Sequence, residues 1–161
     1  RDRSVSRGLG DVYKRQTYES VAAEIERLED LRTRQTDDPI RPITVRRSIQ
    51  YACAQAARPS RPTEVLEEAK AELDRIMTED APRMACADDS LVYNADWKDA
   101  IETLNLLDLA RLFVYASLER QESRASLIRP EYPETDDENW ACALAYTRAE
   151  DGTLSYEKIA Y

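Results

Sequence analysis

Glu122, Ser123 and Arg124 set an acid, a hydroxyl and a guanidinium side by side, and Asp136, Asp137 and Glu138 follow twelve residues later. Such groups could move protons or hold a cation, but the rest of the sequence narrows both options. Histidine is absent, which removes the commonest general base, the commonest metal ligand and every Ser-His or Cys-His nucleophile pair. Cys53, Cys86 and Cys142 lie far apart with no C-x-x-C spacing, so neither zinc nor dithiol redox chemistry is indicated. Buried free thiols are the expected form. The Asp136–Glu138 run lacks the sixth-position glycine and the length of an EF-hand loop, and reads as a solvated acidic turn. The only G-x-G is Gly8-Leu9-Gly10, with no third glycine and no preceding strand, so no dinucleotide cradle is present. A polar network remains, in which Glu122 and Arg124 fix the exit of a helix and Arg129 is tethered to Asp136 or Asp137. Structural ion pairs fill such roles more often than catalytic ones.

Bulk properties exclude further classes. A net charge of −9 and a pI near 4.7 argue against nucleic-acid binding, which uses a basic stripe. No run reaches the ~18 apolar residues of a membrane span; the longest candidate, Leu104 to Leu118, is interrupted by Asn105, Asp108 and Arg111. At 161 residues the chain suits one domain with a modest core.

The elements that must position these residues follow from periodicity and breakers. A helix is expected from about Gln16 to Arg34, with Tyr18, Val21, Ala22, Ile25 and Leu28 on one face. Thr36 to Pro39 breaks it. A second helix starts at Pro42, where proline loses no hydrogen bond, and runs to about Ala57. After the linker Arg58 to Pro62, a third carries Leu66, Ala69, Leu73, Ile76 and Met77 inward and ends between Asp80 and Pro82. Ala85 to Asn94 reads as a loop or a short helix. Asp96 is the expected N-cap of a central helix, supported by Asp99. That helix breaks after Arg124, and Leu106, Leu109, Ala110, Phe113, Ala116 and Ser117 form the stripe around which the others wrap. Arg129 to Asp137 should be extended. Trp140–Tyr146 and Leu154–Tyr161 read as two strands joined by a turn at Ala149 to Gly152. The fold class is mainly α: a bundle of three to four helices, then an extended segment and a small C-terminal β-hairpin. Residues 1–16 fit no element and resemble translated sequencing-adapter read-through, so the expected domain is 17–161, continuing a longer native protein.

Asn105, Leu106, Ala110, Arg120, Glu122, Ser123, Arg124, Arg129, Tyr132, Pro133 and Asp136 to Trp140 stand in one ungapped register. In that register the stretch resembles the C-terminal domain of the fumarate reductase/succinate dehydrogenase flavoprotein family, which includes L-aspartate oxidase and the adenylylsulfate reductase alpha subunit. Ala125, Ser126 and Leu127 replace the family's Gly-Ala-His, and Glu131 replaces its Asp. The resemblance implies a parent FAD-dependent oxidoreductase that passes a hydride between FAD and a substrate such as fumarate or succinate. It implies that FAD, and the catalytic residues, belong upstream, with no cofactor held by this chain. Asn105, Arg120, Glu122, Ser123, Arg124, Arg129, Tyr132, Pro133, Asp136, Asp137 and Trp140 would be structural or docking positions. The implied partners are the flavin domain of the same chain and an iron–sulfur subunit, in the cytoplasm at the inner face of the membrane. An exposed docking face is then expected on the first two helices. The alternative from another class is a free-standing acidic helical interaction module, which predicts no large exposed apolar patch.

Overall fold

The computed structural model describes residues 18–149 and 153–160; the expectations for residues 1–16 and for the turn at 150–152 lie outside them. Helices α1 (Tyr18–Thr33), α2 (Pro42–Ala56), α3 (Thr63–Arg75) and α4 (Ala95–Glu119) come first. A short α5 (Asp137–Trp140) and the strands β1 (Cys142–Arg148) and β2 (Leu154–Ala160) follow. The strands form an antiparallel hairpin in the register Cys142 opposite Ala160 through Arg148 opposite Leu154. The mainly α architecture with a terminal hairpin is therefore the one expected.

Pro42 occupies the first turn of α2, as its spacing predicts. Leu66, Ala69, Leu73 and Ile76 are buried at spacings of three and four, but α3 does not stop where its periodicity ends. It loosens through a π turn, Ile76–Asp80, and then tightens in a 3₁₀ turn, Ala81–Arg83. Pro82 has no N–H to continue a regular ladder. The chain then bridges back to the α1–α2 linker, with the Ile40 N–H donating to Arg83 O and the Ala85 N–H to Ile40 O.

Helix α4 packs on α1, α2 and α3, so the other helices do surround it. The buried stripe differs from the one expected: Ala100, Thr103, Leu107, Ala110, Val114 and Ser117 face inward, whereas Leu109 and Phe113 are exposed. Apolar side chains surround this helix, so periodicity alone does not choose its inner face. Val45 and Ile49 of α2, Leu66 and Leu73 of α3, and Leu31 of α1 complete the core with Met84. Each large aliphatic side chain buried there contributes about 1.5–3 kcal/mol.

The cap of α4 is also corrected. Asn94, not Asp96, is the N-cap, its side-chain oxygen accepting from the Trp97 N–H at 2.9 Å. Asp96 accepts instead from the Ala87 N–H and pairs with Arg41. Residues 85–94 form a loop, and α4 ends at Glu119 rather than after Arg124. The expected stretch from Arg129 to Asp137 is irregular and carries one short bridge between Arg129 and Tyr132.

Candidate functional site: the arginine–glutamate wrap at the end of α4

Once α4 ends, residues 120 to 142 wrap its C-terminal end, held chiefly by side chains. Glu122 has no exposed side-chain surface. Its carboxylate accepts from Arg120 Nη1, from Arg124 Nε at 2.9 Å and Nη2 at 3.0 Å, and from the Asp136 N–H at 3.0 Å. Burial alone would raise its pKa. The hydrogen bonds from Arg124, the Asp136 amide and Arg120 outweigh that effect and hold it at about 2. A carboxylate so fully engaged stays ionised at neutral pH and has little capacity left to take a proton.

Both arginines have second tasks. Arg120 donates to Trp140 O at 2.9 Å and Cys142 O at 2.8 Å, and its guanidinium lies 5.6 Å from the Trp140 ring centre. Lys158 of β2 lies 3.4 Å from the centre of the same ring, so two cations contact the indole. Arg124 pairs with Asp137. Asp136 caps α5 by accepting from the Asn139 N–H at 3.0 Å, which fits its depressed pKa: hydrogen bonds from Asn139 are the main cause.

Ser123 fastens the next loop. Its hydroxyl donates to Tyr132 O at 2.7 Å and accepts from the Arg129 N–H at 2.9 Å. Arg129 is buried and is not tethered to Asp136 or Asp137, as the sequence suggested. Its Nη1 donates to the carbonyls of Ser117, Leu118 and Arg120, and its Nη2 to Thr63 Oγ1 at 2.8 Å. The last carbonyls of a helix lack intrahelical partners and carry the negative end of its dipole, so a buried guanidinium suits that position. Glu131 lies 3.7 Å from Arg129 Nε and accepts from the Thr63 N–H at 2.8 Å, at the first residue of α3. One Arg–Glu pair thus serves the end of α4 and the start of α3.

The structure brings ten of the eleven motif residues into or beside this wrap. Pro133 and Tyr132 lie at its exposed edge, with Tyr132 5.4 Å from the Arg129 guanidinium. Asn105 is the exception. It is exposed on α4, fifteen residues before Arg120, which is ~22 Å along a helix at 1.5 Å per residue. Sequence reasoning missed two groups. Arg61 is buried with its guanidinium 4.7 Å from the Phe113 ring centre, donating to Arg58 O and Ser117 Oγ; burial pushes its pKa down. Asp74 accepts from Tyr115, Arg111 and Lys70 and joins α3 to α4. Its only advance signals were the i, i+4 pairs Lys70–Asp74 and Arg111–Tyr115.

The hairpin and α4 border an open pocket of about 210 Å³ lined by Asp108, Arg111, Leu112, Tyr146, Arg148 and Leu154. Burial, with Glu119 and Tyr156 nearby, pushes the Tyr146 phenol up to about 12. Cys53, Cys86 and Cys142 are free thiols, the first two half-buried and the third buried. Among the described residues no cluster of three His, Cys, Asp or Glu side chains could hold a metal ion, and no helix is long and apolar enough to cross a membrane.

Comparison with known proteins places this arrangement. Residues 46–161 match the family model described as fumarate reductase flavoprotein C-term. The succinate dehydrogenase flavoprotein subunit of Rickettsia conorii is 45% identical over 53 residues, which is 33% of this chain and 9% of the relative. The fumarate reductase flavoprotein subunit of Mycobacterium tuberculosis is 31% identical over 80 residues, 50% of this chain and 14% of the relative. A structure of Escherichia coli quinol fumarate reductase aligns with a TM-score of 0.77 and 26% identity, over 88% of this chain and 24% of that one. An adenosine-5-phosphosulfate reductase structure shares the fold, with a TM-score of 0.69 and 22% identity over 91% of this chain and 25% of that one. The match thus spans a small part of each relative's length. With residues 46–161 matched, a span that runs from within α2 through α3, α4 and the wrap to the hairpin, this chain belongs to the fumarate reductase flavoprotein C-terminal family.

Proposed function

We propose that the chain serves as the structural and docking domain of an FAD-dependent oxidoreductase that interconverts a pair such as fumarate and succinate. The observation that carries this reading is the family match over residues 46–161. On this reading the wrap from Arg120 to Trp140 holds helix ends and the hairpin in place and performs no chemistry. The saturated carboxylate of Glu122 supports that assignment, since every polar atom it could use for proton transfer is already engaged.

FAD is assigned on this reading to a flavin domain outside the residues described. A flavin's pyrophosphate needs a close approach of bare backbone, usually at glycines between a strand and a helix. Gly8, Gly10 and Gly152 are the only glycines in the chain, and all three fall outside the described residues. With no G-x-G-x-x-G in the sequence and a match to the C-terminal part of a flavoprotein family, the cofactor and the residues that act on substrate are assigned to the flavin domain of the full-length protein. An iron–sulfur subunit is the further partner proposed, with a cytoplasmic location at the inner membrane face through such subunits.

Docking onto a flavin domain requires apolar surface that the isolated fold leaves open. Val21 and Ile25 of α1, and Ile43 and Tyr51 of α2, are exposed, as the docking reading expects of the first two helices. The test is co-expression with the Rickettsia conorii succinate dehydrogenase flavoprotein subunit from which the matching C-terminal region has been removed. Co-purification of the two pieces with raised thermal stability of the flavin-bearing piece is expected. Two pieces that never co-purify would refute the docking role.

A further inference from the structure

The loop before α4 displays three large apolar side chains: Leu91 and Val92 are 68% exposed and Tyr93 is fully exposed. Tyr93 also has a φ of 56°, a left-handed conformation that costs a non-glycine residue about 1–2 kcal/mol. No packing of the side chain repays that cost, because the ring is fully exposed.

The display is nonetheless fixed. Asn94 Nδ2 donates to the carbonyls of Asp88 at 2.9 Å and Ser90 at 3.0 Å, while its oxygen caps α4. The Ser90 N–H donates to Asp88, the Val92 N–H donates to Ser90 Oγ at 3.1 Å, and Arg32 of α1 holds the Asp89 carbonyl. A loop that uses this many polar groups to hold apolar side chains in water has the form of a preorganised binding anchor. Such anchors gain affinity because little conformational freedom is left to lose on binding.

The charge around the anchor selects its occupant. Asp88 and Asp89 are exposed at its base, and neither is in a salt bridge with any of the described residues. A second copy of this chain, with a net charge of −9, would bring like charges together, which is unfavourable across an interface. We infer that Leu91, Val92 and Tyr93 form a docking knob that seats in an apolar pocket with a basic rim on the flavin-bearing part of the same protein. This inference rests on the docking role proposed above and adds the place of contact and the chemistry of the partner surface.

The experiment measures the affinity of the 161-residue chain for the truncated Rickettsia conorii flavoprotein piece, using the parent, Leu91→Ser, Tyr93→Gly, Asp89→Asn and Leu109→Ser. Tyr93→Gly is the informative variant, since it removes the ring and relieves the backbone at once. Its melting temperature should stay level or rise while binding weakens roughly tenfold or more, as for an aromatic hot spot. Leu91→Ser should weaken binding in the same direction. Asp89→Asn should lower the on-rate and its salt dependence, and Leu109→Ser, at an exposed position of α4 away from both surfaces, should bind like the parent. If the parent binds and the Tyr93 and Leu91 variants bind equally well, the knob is refuted while the docking role stands. If the parent does not bind, both fail. Self-association of the parent that Tyr93→Gly abolishes would overturn the choice of occupant.

Discussion

Replacing Ala125 by glycine should stabilise the protein. The Arg124 N–H donates to Leu127 O at 2.8 Å and the Leu127 N–H to Arg124 O at 2.9 Å, so Ala125 and Ser126 are the two central residues of a tight turn. Ala125 has a φ of 50°, and Ser126 is not among the residues with positive φ, the pattern in which glycine is favoured at the first position. The alanine Cβ costs about 1–2 kcal/mol there. Glycine removes that strain but adds about 0.4–1 kcal/mol of chain entropy to the unfolded state. The difference leaves a gain of about 0.5–1 kcal/mol, or roughly 1–4 °C in melting temperature for a domain of this size. Urea unfolding should show a higher midpoint with an unchanged slope. Ser126→Gly is the internal control: it carries the entropy cost without strain to relieve, so its midpoint should fall. An Ala125→Gly midpoint at or below the parent's, or equal shifts for both variants, would refute the strain argument.

Three other outcomes follow from the wrap. Glu122→Ala leaves Arg120 and Arg124 facing each other without their acid, and should cost about 3–5 kcal/mol in urea unfolding. Arg129→Lys keeps the charge but loses the fork that reaches three carbonyls and Thr63, so lysine should recover little of the roughly 2–4 kcal/mol lost in Arg129→Met. Acid should weaken the fold through Glu122, whose folded pKa of about 2 lies below the ordinary 4.5. The unfolded chain takes up the proton first as pH falls, so this contribution is complete above about 4.5 and is lost progressively toward about 2. Its size is about 3 kcal/mol. Asp74, Asp96 and Asp136 are depressed too and act with the same sign. Urea midpoints measured between pH 6 and pH 3 should fall, and Glu122→Gln should flatten part of that fall.

The helices and hairpin were legible because each rests on local chemistry. Pro42 starts α2, the spacing from Leu66 to Ile76 buries α3, and two short runs of strand-forming residues become β1 and β2. The inner face of α4 was not legible, since Leu106, Leu107, Leu109 and Phe113 satisfy more than one stripe and only the docked neighbours choose between them. Asn94 and Asp96 are both good caps; tertiary partners decided, because Arg41 and the Ala87 N–H claim Asp96. The motif of Glu122, Ser123, Arg124 and Arg129 was visible as a linear register, and its role as a polar network was foreseeable from its charges. The partners of Arg129 were not, because backbone carbonyls leave no trace in residue type.

The dependence of residues 120 to 142 on one carboxylate has a consequence for motion. Little regular ladder lies between the end of α4 and β1, so the amide protons of Asp136, Arg129 and Ser123 are protected by contacts that converge directly or through one neighbour on Glu122 and Ser123. Local opening should then be concerted, with these amides exchanging with solvent at a shared free energy instead of fraying one by one. The segment would behave as a single latch on the end of the bundle, shut or open as a whole.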